Sequence, residues 1–314
     1  MERGAHQTTR HILMVRPARF GYNPETAANN AFQVYDDSMT PDEIAAAARE
    51  EFDAFVAVLR EAGVQVWVVE DTPEPPKPDA VFPNNWVTFH NDGTVITYPM
   101  FAPQRRLERR EDIIKYLGAH FQITRRVKLE RYEAKNRFLE GTGSMVLDRQ
   151  HRIVYACSSP RTDEFLLDEF CRLMGYEKEF FCATDARGQE IYHTNVMMAM
   201  GETFVVICLE SVADDYAANR LIERFYATNK EIVEISYRQM MSFAGNMLQV
   251  QNDRGERLLV MSDQAYLSLT QTQIRQLEKH CRLVHSPIDT IETYGGGSAR
   301  CMMAEIFLPE KEED

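Results

Sequence analysis

One cycle of elements, a β-hairpin followed by an amphipathic helix and a further strand, recurs along the chain, and it limits the possible folds more than any other feature. Its period is roughly 50 residues. The clearest copy starts near Gly141, where the apolar runs Met145 to Leu147 and Ile153 to Ala156 flank Asp148-Arg149-Gln150 as a hairpin requires. Phe165, Leu166, Phe170, Leu173 and Met174 then recur at helical spacing until Gly175, and Glu177 to Ala183 supplies the closing strand. The next copy has Val196 to Met200, a turn at Gly201-Glu202, Phe204 to Leu209, a helix across Tyr216 to Tyr226 and a strand at Ile232 to Ile235. Another has Met247 to Val250, a turn through Asn252 to Gly255, Leu258 to Met261, a helix around Thr270 to Cys281 and Leu283-Val284. An earlier one covers Val81 to Phe89, a turn at Asn91-Asp92-Gly93, Val95 to Tyr98, a helix to Leu117 and Ile123 to Leu129. The fifth is divided between the ends: Tyr294 to Leu308 offers part of a hairpin, while His11 to Val15, Asp42 to Ala62 and Val64 to Val69 offer strand, helix and strand.

Hairpin-rich units whose last member is shared by the termini predict an α/β fold closed into a propeller, because sharing a blade shuts the ring without exposed sheet edges. The competing arrangement is an open α+β sheet. The proline-rich stretch Pro73 to Pro78 fits a connection between blades, so residues 1–314 are read as one domain.

Hydrophobic residues make up 44% of the chain and charged residues 26%, which suits a globular core. The formal net charge of −13 argues against nucleic acid and against an anionic membrane, since both demand a basic face. The basic stretch Arg105 to Arg110 reads as the solvated start of a helix. No apolar run approaches a bilayer span and no secretory segment is evident, so the expected location is the cytoplasm. The six cysteines include no CxxC pair and read as free thiols, most of them buried. The eight histidines show no metal-ligand spacing, and the triple glycine lacks the lysine and helix of a phosphate loop. No coiled-coil seam is visible, which leaves a homo-oligomer open.

In a ring, equivalent positions of each unit meet at one pole. The units open with Pro83-Asn84-Asn85, Glu140-Gly141-Thr142-Gly143, His193-Thr194-Asn195, Gly245-Asn246, and Gly295-Gly296-Gly297 leading to Cys301. Polarity just ahead of a core strand is costly unless it faces a site. Cys301 is the expected nucleophile, because it follows a glycine turn that admits a ligand close to the backbone, and Arg300 beside it favours a thiolate if its charge points inward. Met302 and Met303 are expected to begin a core strand. His193 shares the phase of the repeat and suits an acid/base role, with Glu140 as a carboxylate to orient it. Asp79 reads either as a turn former or as a holder of a cationic head group.

The stretches Pro78 to Trp86, Leu139 to Ser144, His193 to Val196 and Gly295 to Met302 resemble, in order, the guanidino-group-modifying superfamily, or penteins. That superfamily includes arginine deiminase, dimethylarginine dimethylaminohydrolase, succinylarginine dihydrolase and the amidinotransferases. Within it the chain is most similar to arginine-deiminase-related proteins known as citrulline-utilisation hydrolases. The resemblance implies a five-bladed α/β propeller, no metal or organic cofactor, and a small arginine- or citrulline-like substrate as partner. It implies Cys301 as nucleophile, His193 as acid/base, Glu140 as its carboxylate partner, and Asp79 and Asn85 as contacts to the substrate head, with Asn84, Asn195 and Gly297 in the matching stretches beside them. Arg19, Asn23 and Asn30 are candidates for the substrate tail.

Deiminases usually carry acids where this chain has Asn85 and Asn195. An amide donates as well as accepts, so the chain is expected to receive a neutral ureido group such as that of citrulline. Against this, succinylarginine dihydrolase resembles the pattern with an Asn yet handles an arginine derivative. The rival activities are amidino transfer to an amine and ligand binding without catalysis; a cysteine peptidase fits a narrow polar pole poorly.

Overall fold

The computed structural model describes residues 6–312. It contains five three-stranded sheets of one design, each an antiparallel hairpin to which a third strand is added in parallel across a helix. The first sheet joins Val87–Phe89, Thr94–Thr97 and Arg125–Lys128, and the second joins Val146–Asp148, Ile153–Cys157 and Glu177–Phe181. The third joins Met198–Met200, Phe204–Ile207 and Glu231–Glu234, and the fourth joins Leu248–Gln251, Arg257–Ser262 and Arg282–Ser286. The fifth is assembled from both ends of the chain: His11–Arg16 pairs antiparallel with Ala304–Glu305 and in parallel with Gln65–Glu70.

The linking helices follow local rules. Pro41–Glu61 starts with Pro at its first turn and a reciprocal capping box in which Thr40 and Glu43 bond each other's backbone N–H. Glu164–Met174 is capped by Asp163 and stopped by Gly175 in the left-handed region at φ 69°. Asp215–Ala227 is capped by Asp214, and Gln271–Glu278 by a box formed by Thr270 and Gln273. The helix expected around residues 270–281 is preceded by a separate one, Asp263–Ser268.

Strand periodicity places the core between sheets. Leu13 and Val15 join the apolar cluster shared with the first sheet, while Ile12 and Met14 join the one shared with the fourth. Likewise Val154 and Ala156 face the first sheet, and Ile153, Tyr155 and Cys157 face the third. Successive side chains point to opposite faces, so a run apolar at every position is what a strand buried on both sides requires. Each fully buried Leu, Val or Phe contributes about 1.5–3 kcal/mol by leaving water.

Three strand expectations are corrected: in the run Val81 to Phe89 the chain first makes a turn and the 3₁₀ helix Pro83–Asn85, and the strand starts at Val87. Val196-Met197 belong to a helical turn, and the strand starts at Met198; Met302-Met303 belong to a turn, and the strand starts at Ala304. Short apolar runs look alike in helical turn and strand, so the pattern alone misplaced the boundary. Among the described residues no helix is long and apolar enough to cross a membrane.

Candidate active site

Each polar opening folds as a single turn just ahead of its strand, helical at Pro83–Asn85, Gly141–Ser144 and Thr194–Met197, and hydrogen-bonded where Asn246 N–H meets Phe243 O and Cys301 N–H meets Ser298 O. A turn packs more side chains into a given length than a strand does, so these openings crowd their polar groups together. A narrow cavity is lined by Cys301, His193, Asp79, Asn85 and Gly297, with Asn30 from the segment ahead of the long first helix. Arg105, Arg161, Tyr192 and Thr26 also line it and carried no signal in the sequence; Phe82, from the matching stretch Pro78 to Trp86, lines it too, with no role indicated by the sequence.

Close approach explains two glycines. A Cβ on Gly143 would lie 2.5 Å from Asn85 Nδ2 and 2.7 Å from His193 Nδ1, and one on Gly297 would lie 2.9 Å from the Phe82 ring.

His193 Nε2 lies 2.7 Å from Glu140 Oε2. Glu140 Oε1 accepts the Phe101 N–H at 2.8 Å, and Arg161 and Arg105 stand 3.6 and 3.9 Å from Oε2. Burial alone would raise the Glu140 pKa, but Arg161, the His193 hydrogen bond and Arg105 outweigh it and hold the carboxylate near 2. A carboxylate only accepts, so His193 Nε2 carries the proton and Nδ1, which makes no hydrogen bond among the described residues, is left as the base. Burial pushes the His193 pKa down to about 4, against the pull of Glu140, with Arg161 and Arg105 adding to the downward push. The ring is therefore neutral at pH 7, able to take a proton.

Cys301 is 3% exposed. The side-chain amides of Asn195 and Asn246 each donate to its Sγ at 3.4 Å. Asn246 is itself fixed, donating to Asn195 O at 2.9 Å and accepting the Arg300 N–H at 3.0 Å. Asn246 stood out in the sequence as a unit opening, but its contact with the thiol depends on the packing of two units. The expected inward charge of Arg300 is corrected: its guanidinium bonds Met303 O and Glu305 Oε2 at 2.8 Å each, so amide dipoles rather than this cation face the sulfur.

The reading of Arg105 to Arg110 as solvated is also corrected. Pro103–Glu108 is a 3₁₀ turn, separate from the helix Glu111–His120, and residues three apart eclipse on such a turn. Arg105 and Glu108 thus form a buried two-bonded ion pair at 2.9 Å, and Arg105 Nη1 donates to Asn85 Oδ1 at 2.8 Å. Glu108 is raised by burial to about 7. Asp79 Oδ2 accepts from Asn23 Nδ2 at 2.7 Å, while its Oδ1 is buried without a partner among the described residues. Burial raises the Asp79 pKa against the opposing charge of Arg105.

The other candidates lie elsewhere. Asn84 does not line the cavity; it donates to Thr142 Oγ1 at 3.3 Å and accepts from Asn85 at 3.0 Å, joining two opening turns. Asn195 stands behind Cys301, its Oδ1 buried and unpartnered. Arg19 is exposed and outside the lining, a correction for which the sequence held no warning. Arg161, anchored on Thr26 O at 3.0 Å and on Asn29, ties the segment carrying Thr26 and Asn30 over the cavity.

Solved structures share this fold. The N-terminal domain of ArgZ, covalently bound to a reaction intermediate, has a TM-score of 0.72 at 18% identity over 95% of this chain and 98% of that one. Full-length ArgZ, an arginine dihydrolase of cyanobacteria, matches at 0.71 and 19%, with 95% of this chain covering 41% of it. Dimethylarginine dimethylaminohydrolase, as an adduct with S-methyl-L-thiocitrulline, matches at 0.65 and 16% over 95% and 100% of the two chains. No curated protein sequence matches. The family described as N,N dimethylarginine dimethylhydrolase, eukaryotic, matches residues 16–308, and the chain belongs to that family, a group of C–N hydrolases within the guanidino-modifying superfamily.

Proposed function

We propose that the chain is a cysteine-dependent hydrolase of the guanidino or ureido group of arginine, citrulline or a related derivative, built as one catalytic domain on a closed five-bladed propeller. Closure is supported by the core clusters, which join the five sheets in cyclic order through the shared fifth sheet. The observation that carries the activity is the meeting, in one buried polar cavity, of Cys301 with two amide donors behind it and His193 with Nδ1 free. ArgZ captured with a covalent intermediate and dimethylarginine dimethylaminohydrolase captured as an adduct support this reading.

In the proposed mechanism His193 Nδ1 takes the thiol proton as Cys301 Sγ attacks the central carbon. Protonated His193 returns that proton to the departing amine as the C–N bond breaks, leaving a thiouronium-type adduct. His193 then takes a proton from water, the hydroxide adds to the same carbon, and the C–S bond breaks to release product as His193 returns the proton to Cys301 Sγ. Glu140 holds the imidazole and stabilises its cation. The open oxygen of Asp79 receives a substrate N–H donor.

Wild type and Cys301→Ser incubated with arginine, citrulline, methylated arginines and succinylarginine, followed by mass spectrometry, test the reading. Wild type should turn over at least one compound, and Cys301→Ser should lose about 10³-fold or more. Asn85→Asp should shift preference toward guanidino substrates; an unchanged preference rejects the ureido assignment alone. Absence of turnover, with ordinary reactivity at Cys301, would favour a ligand-binding protein.

A further inference from the structure

The first strands of the first and second sheets begin beside Asn85 and Gly143 and end at the hairpin turns that carry His90 to Gly93 and Arg149 to Arg152. Those turns lie at the far end of the strands from Cys301, and they border a second cavity that shares no lining residue with the first.

Arg149 dominates this cavity. It is 5% exposed, its guanidinium lies 4.0 Å over the Phe307 ring, and its side-chain N–H groups make no hydrogen bond among the described residues. The one carboxylate within ion-pair range among the described residues, Glu305, stands 3.6 Å away and already accepts from Arg300 at 2.8 Å, so two guanidiniums share a single negative charge. The Arg149 side chain is largely withdrawn from water while its unmatched guanidinium lines the cavity, an arrangement that is costly unless something there pairs with the charge. Arg152, on the same hairpin turn and exposed at φ 53°, brings a second guanidinium with no ion pair among the described residues.

The remaining groups around the space are His6, His90, Asn91, Tyr176 and Asp92. His90 is kept neutral by burial and by Arg149, and its Nε2 is engaged with Thr88 at 2.8 Å. Asp92 opposes an anion, though its Oδ1 already accepts the Thr94 N–H at 3.0 Å. Arg149, Arg152 and the neighbouring Arg300 stand against Asp92 and Glu305, which leaves an excess of positive charge at this cavity in a protein of net charge −13.

We propose that this cavity binds a phosphate group, free or carried as a monoester, with Arg149 and Arg152 as its principal ligands. Guanidinium forks match the oxygens of phosphate geometrically, and an oxyanion there would supply Arg149 with the acceptors the protein does not.

The test is calorimetric titration of the full chain at constant ionic strength, with inorganic phosphate in one arm and phenyl phosphate in another. Saturable 1:1 binding is expected in at least one arm, and the tighter arm assigns free phosphate or ester. Arg149→Met and Arg152→Gln should each weaken it about tenfold or more, as loss of a charged hydrogen bond does. Arg152 is exposed, so its variant keeps the test valid if Arg149→Met does not fold. Arg161→Gln, at the catalytic cavity, should leave phosphate binding unchanged. The proposal is overturned by no binding in either arm, by unchanged affinity in Arg152→Gln, or by loss of binding in Arg161→Gln, which would place the anion beside Cys301.

Discussion

Cys301 and Cys157 lie on either side of one turn, His193-Thr194-Asn195, and both are buried, yet their surroundings differ in kind. Thr194 serves Cys157: its hydroxyl accepts the Cys157 N–H at 2.8 Å and gives its own proton to Ser144 O at 2.6 Å, while the thiol points to Ile191 O at 3.5 Å. Burial pushes that thiol up to about 12, and it stays protonated and inert. Asn195 serves Cys301, which receives two amide donors and opens on the cavity with His193. Burial by itself therefore does not distinguish a nucleophile from a core thiol. Two amide donors on the sulfur and a path for substrate do; Thr194 Oγ1 also lies 3.4 Å from Cys157 Sγ, but its single proton is directed to the nearer Ser144 O.

The contrast is broken most severely by closing the Cys301 side. Gly143→Ala places a methyl 2.5 Å from Asn85 Nδ2 and 2.7 Å from His193 Nδ1, so both side chains must shift to admit it. We expect kcat/KM to fall by about 10²-fold or more with a retained circular dichroism spectrum, because a misplaced acid/base group is costly even in a folded site. Activity within threefold of wild type would mean that His193 does not act from this position.

A smaller effect concerns the protonation of that same turn. His193 titrates near 4 in the fold and near 6.5 when unfolded. Between those values the unfolded chain binds more protons, so the contribution of His193 is present at pH 7 and lost as the pH falls through the window. From pH 7 to pH 5, urea unfolding should show wild type losing about 2 kcal/mol relative to His193→Asn, which keeps a donor for Glu140 but cannot titrate. A difference of opposite sign would mean that Glu140 holds the imidazole charged in the empty site.

Much of this arrangement was legible because the repeat aligns residues that are far apart in the chain. Cys301, His193 and Glu140 fall at one phase of it, and the packing of five like units converts phase into proximity. The arginines were not legible. An arginine in sequence has no direction, and Arg105 turns inward only because a 3₁₀ turn sets it over Glu108 and beside Asn85. Arg300 turns away for the converse reason, since Glu305, at the end of the two-residue strand Ala304–Glu305, lies within its reach. The same local detail defeated the strand boundaries at Met197 and Met303, where an apolar run continues through a helical turn.

The finest test separates the two thiols directly. Asn246→Ala removes one of the two donors to Cys301 Sγ and also the acceptor of the Arg300 N–H. A hydrogen bond to a charged group is worth about 1.5–3 kcal/mol, and part of that is recovered through Asn195, so the alkylation rate of Cys301 by iodoacetamide at pH 7 should fall roughly tenfold. Cys157→Ala should leave that rate within twofold, since its thiol donates to Ile191 O and makes no bond to Cys301. Peptide mapping of the labelled protein assigns the modified residue. If Asn246→Ala reacts as fast as wild type, the amide contacts are packing alone, and access to the cavity is what sets Cys301 apart from Cys157.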